Sequence, residues 1–165
     1  MKEIEFKIKG LMMDPLTNSP IVVLQDTSSA TLLPIWVGIF EANAIALQIE
    51  KVDTPRPMTH DLIKILLGHL DAQVTKIVVT ELKDNTFYAT IFLQASGKII
   101  TVDSRPSDAI ALALRTDSPI YVTDDVITKS ASTSATTLSA DRSSPEEIRQ
   151  WLENLNPEDL GKYKM

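Results

Sequence analysis

The residues best suited to chemistry in this chain stand at a charged corner that leads directly into an apolar segment. Asp103, Arg105 and Asp108 lie in the sequence Asp-Ser-Arg-Pro-Ser-Asp, and residues 109–115 that follow are mostly apolar. A helix that is apolar on nearly every face is normally buried, so the corner is predicted to stand at the edge of a core. A helix N-terminus beside an arginine suits phosphate. Ser107 is the predicted N-cap of this helix, and it would join Arg105 at the phosphate.

The carboxylates of the same corner suggest a second chemistry, the binding of a divalent metal ion. Mg²⁺ and Mn²⁺ prefer carboxylate oxygens, which Asp103 and Asp108 would supply, joined by Glu41 if the helix starts converge. A third interpretation involves no chemistry: Arg105 pairs with one of the aspartates and simply stabilises a capped helix start. The residue types alone leave these three alternatives open.

An earlier corner repeats the design of an Arg-Pro pair, then a Ser or Thr, then an Asp, then an apolar helix. Arg56 is its candidate phosphate ligand, with Thr59 as the predicted N-cap. His60 and Asp61 follow in the first turn, where a histidine with a pKa near neutrality could act as a general acid or base. The alternative is an ordinary surface histidine. Since His69 is the only other histidine, a multi-histidine metal site within one subunit is excluded.

The composition narrows the classes of function. The 165 residues include no cysteine, which excludes a disulfide scaffold and a zinc–cysteine site. The net charge of −6 argues against a broad nucleic-acid-binding surface, so any contact with a polyanion should be local. No glycine-rich phosphate loop is present, and we expect no nucleotide cofactor. The charged N-terminus is not a signal peptide, and no apolar run approaches the roughly 20 residues of a membrane span. We therefore expect a cytoplasmic protein without membrane contact.

Hydrophobic periodicity predicts the elements that position the two corners. Strands are predicted over residues 3–13, 21–24, 31–37, 74–82, 87–94, 98–102 and 119–122. Helices are predicted over residues 38–52 and from 59 to about 70. A third helix is predicted to follow the corner at residues 103–108 and to run through residue 115. Pro34 indicates an edge strand or a bulge. The resulting class is α+β, with antiparallel or mixed sheet meanders and about three core helices.

Two expectations concern packing, and a third concerns domain organisation. In the second helix, one stripe is predicted to be buried: Ile63, Leu66, Leu67 and Leu70. Trp36 and Trp151 are predicted to lie at core positions. Residues 1–128 are predicted to form one domain, residues 129–143 a Ser/Thr/Ala-rich flexible linker, and residues 144–165 a C-terminal helical tail.

Four blocks in order resemble the bifunctional nuclease domain family, over about residues 1–128. The blocks cover residues 33–38, 41–45, 56–62 and 103–113, with Met58 where leucine is commoner in that family. The resemblance implies an α+β domain that assembles as a homo-oligomer and cleaves both RNA and DNA.

The leading hypothesis is therefore a nuclease that hydrolyses phosphodiester bonds, assisted by Mg²⁺ or Mn²⁺. Its phosphate ligands would be Arg56 and Arg105, with Thr59 and Ser107. Its catalytic and metal-binding residues would be His60, Asp61, Asp103 and Asp108, with Glu41 as a further metal ligand. The rival hypothesis is a non-catalytic, homo-oligomeric binding or regulatory protein, in which the Arg-Pro corners are structural.

Overall fold

The computed structural model of the chain describes residues 1–140, with side chains up to residue 132. The elements within that range are β1 (Glu3–Met13), β2 (Pro20–Asp26), β3 (Leu32–Trp36), α1 (Ile39–Ile49), α2 (Thr59–His69), β4 (Ala72–Lys83), β5 (Thr86–Ala95), β6 (Lys98–Ser104), α3 (Pro106–Thr116), β7 (Ile120–Thr123) and α4 (Asp124–Ala140). The predicted α+β class is confirmed. None of the helices within residues 1–140 has the length and apolar character needed to cross a lipid bilayer.

Seven strands form one mixed sheet in the order β3-β2-β1-β7-β4-β5-β6. Two antiparallel meanders, β1–β3 and β4–β6, are joined by β7, which pairs antiparallel with β1 and parallel with β4. Local pairing builds each meander, and the short final strand completes the sheet between them. Pro34 lies in the edge strand β3, as predicted, where the missing N–H costs least.

The hairpin between β4 and β5 turns through the two residues Asp84 and Asn85. Both have positive φ, 49° and 58°, which is the backbone that a two-residue primed turn requires. Asn and Asp tolerate this region better than other non-glycine residues. The turn fixes the register in which Ala89 and Ile91 of β5 face the core.

The helix α3 is the centre of the helical layer. It packs against α1, α2, β4 and β5, and its residues Ala109 to Ala113 are all buried. Small alanine side chains alternate with Ile110 and Leu112, which lets the neighbouring helices approach closely. The predicted buried helix is therefore confirmed, and the corner before it stands at the edge of the core.

The predicted buried stripe of α2 is wrong. Ile63, Leu66 and Leu70 are 37%, 53% and 73% exposed, and only Leu67 of the stripe packs against the core. The residue of α2 that is buried is His60. Helical periodicity identifies an apolar face, but it does not distinguish a face that packs on the core from one that remains open.

Three local expectations are corrected as well. The N-caps of α2 and α3 are Met58 and Arg105, so Thr59 and Ser107 lie inside the first turns. Trp36 is 53% exposed instead of buried, because it ends β3 on the face opposite the core residues Leu33 and Ile35. Its indole Nε1 donates a hydrogen bond to Asp14 Oδ2 at 3.1 Å.

The segment predicted as a flexible linker is helical as far as the structure describes it. The helix α4 continues to Ala140, without a glycine or proline to interrupt it. Hydroxyls of Thr128 and Ser132 donate to carbonyls one turn earlier, and Asp125 pairs with Lys129 at 2.7 Å. Residues 141–165, which include the rest of the linker, Trp151 and the predicted tail helix, lie outside the described residues.

Candidate functional site

Four side chains from the starts of three helices form a continuous chain of hydrogen-bonded charges. His60 Nε2 lies 3.0 Å from Asp108 Oδ1, and Arg105 Nε donates to Asp108 Oδ2 at 2.7 Å. Arg105 Nη2 donates to Glu41 Oε1 at 2.8 Å. Four of the predicted site residues are thus brought together. We call this group the His60–Asp108–Arg105–Glu41 cluster.

The backbone at the helix starts determines these positions. Arg105 is the N-cap of α3 in extended conformation, with Pro106 at the first helical position, where its missing N–H is not needed. Asp108 then falls in the first turn, i+3 from Arg105. Gly38 is the N-cap of α1, and a Cβ on it would collide with Glu41 Oε2. The absence of a side chain at Gly38 therefore lets the Glu41 carboxylate fold over the start of its own helix.

Asp108 and Arg105 stabilise each other's charged forms. Partial burial disfavours the Asp108 carboxylate, but hydrogen bonds from Arg105 and His60 outweigh that penalty, and the pKa of Asp108 lies below its ordinary value. Hydrogen bonds to Asp108 and then Glu41 raise the pKa of Arg105. The Arg105 side chain is 65% exposed, whereas those of Glu41 and His60 are 16% and 9% exposed. An arginine fixed by two carboxylates therefore presents its remaining N–H groups to solvent.

A second ion pair, between Arg115 and Asp61, lies on the other side of the first turn of α2. Arg115 Nε donates to Asp61 Oδ1 at 2.7 Å, and its Nη1 and Nη2 donate to the carbonyls of Ala111 and Ala44 at 2.8 and 3.0 Å. The Arg115 side chain is 2% exposed. The contacts of Arg115 join α1, α2 and α3, the three helices whose starts carry the cluster.

Asp61 is therefore occupied by structural contacts. Burial raises its pKa, but the hydrogen bond from the Met58 N–H, 2.9 Å long, and then the one from Arg115 Nε leave the pKa of Asp61 below its ordinary value. Both carboxylate oxygens have partners. Asp61, predicted as a catalytic residue, thus has both oxygens engaged in contacts that position the start of α2.

Arg56 is not part of the cluster. It lines a pocket of about 270 Å³ between the C-terminal end of α1 and the start of α2, together with Asp61 and Arg115. Thr59 is exposed, and Ser107 is buried in the first turn of α3. The four predicted phosphate ligands therefore divide among different surroundings, and only Arg105 is both in the cluster and exposed.

Asp103 lies apart from the other proposed metal ligands. It pairs with Thr90 across the β5–β6 ladder, whereas Ala89 and Ile91 on either side of Thr90 are buried in the core. Since successive residues of a strand face opposite sides of the sheet, Asp103 is directed away from the core face.

The donor set does not fit a resident divalent ion. Both oxygens of Asp108 have hydrogen-bond partners, and the guanidinium of Arg105 lies between Asp108 and Glu41. Within residues 1–140, no three His, Asp or Glu side chains form a group that could hold a metal. The predicted ligands Asp103, Asp108 and Glu41 therefore do not assemble into one site in this conformation.

Two residues of this region were missed by the sequence reasoning. Arg115 lies in the last turn of an apolar helix, a position where a basic side chain commonly interacts with the helix dipole. A signal was nevertheless present, since an arginine that follows a wholly apolar segment must reach acceptors within the core. Gly38 directly precedes a predicted helix, which was a weaker signal for close contact with a side chain.

Comparison of the sequence with known proteins finds a matching family. Residues 22–135 match the model of the bifunctional nuclease domain. An uncharacterised protein of Mycobacterium tuberculosis is 33% identical over 162 residues, which cover 94% of this chain and 97% of the relative. The match to that relative extends over nearly the whole length of both chains.

Plant proteins called bifunctional nucleases match a shorter part. Bifunctional nuclease 1 of Arabidopsis thaliana is 28% identical over 116 residues, covering 68% of this chain and 36% of the plant protein. Bifunctional nuclease 2 of Oryza sativa subsp. japonica is 32% identical over 107 residues, covering 62% of this chain and 33% of the plant protein. The chain therefore corresponds to about a third of each plant relative.

Proposed function

This chain belongs to the bifunctional nuclease domain family, and from that premise we propose that it hydrolyses phosphodiester bonds of RNA or DNA at the His60–Asp108–Arg105–Glu41 cluster. The observation that carries the proposal is the placement of an exposed, doubly anchored arginine next to a histidine–aspartate pair. Phosphate binding and proton transfer are the two tasks that such hydrolysis requires of side chains.

Arg105 binds the phosphate in this proposal. Its Nε and one Nη2 hydrogen are taken by Asp108 and Glu41, so both Nη1 hydrogens and the second Nη2 hydrogen remain for phosphate oxygens. Because the two carboxylates fix the guanidinium plane before substrate arrives, little side-chain entropy is lost on binding. The same N–H groups stabilise the charge that develops on the phosphate oxygens in the transition state.

His60 moves the proton. In the tautomer with its proton on Nε2, it donates to Asp108, which orients the ring and stabilises the imidazolium. The other nitrogen, Nδ1, then accepts a proton from the attacking water and returns it to the leaving oxygen. The small exposed fraction of the ring restricts the direction from which substrate approaches.

Hydrolysis assisted by Mg²⁺ or Mn²⁺ is the part of the proposal that the arrangement of the Asp108 and Glu41 carboxylates does not support. Asp108 and Glu41 are engaged by Arg105, so no step above is assigned to an ion. When bound, such an ion would supply Lewis-acid stabilisation of the phosphate. Comparing Mg²⁺, Mn²⁺ and EDTA in the cleavage assay decides whether it takes part.

The proposal is tested by cleavage of labelled single-stranded RNA and DNA. Wild type is compared with His60→Gln, which keeps a hydrogen-bond donor toward Asp108, and with Arg105→Ala. Lys98→Ala, at the opposite end of β6, removes the same charge outside the cluster. We expect at least a roughly 100-fold loss in both cluster variants, from the usual contributions of a general base and of a charge-stabilising donor. Equal cleavage by all four folded proteins would point to a contaminant and reject the site.

A second candidate function is a non-catalytic oligomeric binding protein, and one observation supports its oligomeric assembly. Leu62, Leu66 and Leu70 recur at four-residue spacing on α2 and are 49%, 53% and 73% exposed. A row of exposed leucines on one helix is typical of an association surface. We propose that this row mediates self-association, which is compatible with either function.

Light scattering coupled to size exclusion tests the association. Leu66→Lys should shift the mass toward the 18.2 kDa monomer, whereas Gln73→Lys, which adds the same charge at an exposed polar position, should leave it unchanged. A wild type that is monomeric throughout the accessible concentration range would reject the self-association. An oligomer that cleaves neither nucleic acid would favour the non-catalytic function.

A further inference from the structure

The pocket beside the cluster has its own set of polar groups. Its volume is about 270 Å³, and it is bounded by the end of α1, the loop over residues 52–57, and the side chains of Asp61 and Arg115. This is just below the range of roughly 300–1,000 Å³ for sites of drug-sized ligands. The volume suits one planar ring system better than an extended chain.

The charged groups of the pocket divide into two kinds. Asp61 and Arg115 are paired with each other and form a fixed wall. Asp53 and Arg56 also line the pocket; both residues are exposed, and their side chains make no hydrogen bond or ion pair with the described residues 1–132. One acceptor and one donor of opposite charge are therefore left at the same opening without a partner in this part of the chain.

The backbone that carries these two residues is stiff. Pro55 and Pro57 restrict the loop on both sides of Arg56, and the Thr54 hydroxyl donates to the Arg56 carbonyl at 2.8 Å. A stiff loop loses less entropy when a ligand orders its side chains. The backbone at Arg56 is thus restrained before a ligand binds.

The combination of groups selects among ligands. Asp53 would repel a bare phosphate, and Arg56 would repel a bare cation. A neutral heterocycle with donors on one edge and acceptors on another satisfies both. Guanine has this pattern, because its N1–H and N2–H₂ suit a carboxylate and its O6 and N7 suit an arginine fork. Leu47 and Val52 supply apolar lining for the ring.

We propose that this pocket binds a guanine base, with Asp53 accepting from the Watson–Crick edge and Arg56 donating to O6 and N7. Its role as a subsite of cleavage rests on the proposed function. The pocket adjoins the cluster because Asp61 of the pocket wall directly follows His60 of the cluster. A guanine held here would place the adjoining phosphate near Arg105. The base would then select where the chain is cut.

Titration calorimetry of the full chain with guanosine and adenosine 5′-monophosphates tests the proposal, because both probes carry the same phosphate. We expect the guanine nucleotide to bind at least tenfold more tightly, as expected for one good bidentate pair. Asp53→Asn should remove that preference, and Asp84→Asn, the same charge change in a distant turn, should preserve it. Equal affinities in wild type, no binding of either nucleotide, or equal losses in the two variants would overturn the guanine site.

The cleavage assay separates this proposal from the proposed function. Cleavage of RNA or DNA without a guanine preference in calorimetry leaves the hydrolysis standing and rejects the guanine site. Selective binding of the guanine nucleotide by a protein that does not cleave supports the guanine site and rejects the hydrolysis.

Discussion

Replacing Arg115 with alanine should be among the most damaging single changes at this site, although Arg115 is outside the cluster. The side chain is 2% exposed and donates to Asp61, to the Ala44 carbonyl and to the Ala111 carbonyl. Its removal leaves a carboxylate and a carbonyl of two other helices without their partner, and it opens a cavity where α1, α2 and α3 meet.

The expected loss follows from the geometry. Removing one partner of a buried ion pair costs about 3–5 kcal/mol of unfolding free energy. The Asp61 side chain is 27% exposed and can regain some hydration, which favours the lower end, about 3 kcal/mol. For a chain of this size, about 2–4 °C are lost per kcal/mol, so the melting temperature should fall by about 6–12 °C.

The comparison is Arg105→Ala, which removes an arginine with two carboxylate contacts, against three contacts for Arg115, from a side chain that is 65% exposed. An exposed pair contributes about 1 kcal/mol or less. Urea unfolding of both variants and wild type, with unchanged m-values as the check on two-state behaviour, measures the difference. Equal destabilisation by the two variants, or a larger loss for Arg105→Ala, would refute the assignment of Arg115 to structure and Arg105 to function.

Two further predictions follow from the helix starts. Asp61 and Asp108 have pKa values below their ordinary range in the folded state, so their stabilisation is complete above the unfolded pKa of about 3.9 and is lost as pH falls through the folded value. Melting curves between pH 2 and 6 should therefore show a weaker acid dependence in Asp61→Asn than in wild type; parallel curves would contradict this. In Gly38→Ala the new Cβ displaces the Glu41 carboxylate, so Arg105 loses one of its two anchors and keeps only Asp108. Cleavage should fall about tenfold with little change in melting temperature, and unchanged cleavage would remove Glu41 from the site.

Sequence reasoning predicted the elements whose determinants are local. The turn at Asp84–Asn85 and the alternation in β4 and β5 define a hairpin within 24 residues, and the structure confirms it. The position of β7 is different, because four residues pair with β1 and β4, which are distant in the chain. No local pattern specifies which strands a short apolar segment joins. The strand order of the complete sheet could therefore not be predicted from hydrophobic periodicity.

The candidate site was predictable in its membership but not in its pairing. Charged residues at the starts of apolar helices indicated Glu41, His60, Arg105 and Asp108, because such side chains must lie at the rim of a core. The same logic included Asp103. In the structure Asp103 pairs with Thr90, so its side chain lies on the face of the sheet opposite the core. Placing a side chain on the correct face depends on the register, which the sequence did not specify at this edge.

The likeness of the two Arg-Pro corners suggested that each arginine plays the same part, and the structure separates them. Arg105 pairs with the aspartate three residues later, whereas Asp61 of the first corner pairs with Arg115 from a different helix. Because the buried Arg115 already pairs with Asp61, Arg56 does not have Asp61 as a partner. Arg56→Ala should therefore change the unfolding free energy by no more than about 0.5 kcal/mol, in contrast to Arg115→Ala. A large loss in Arg56→Ala would mean that the first corner is held together by its own arginine after all.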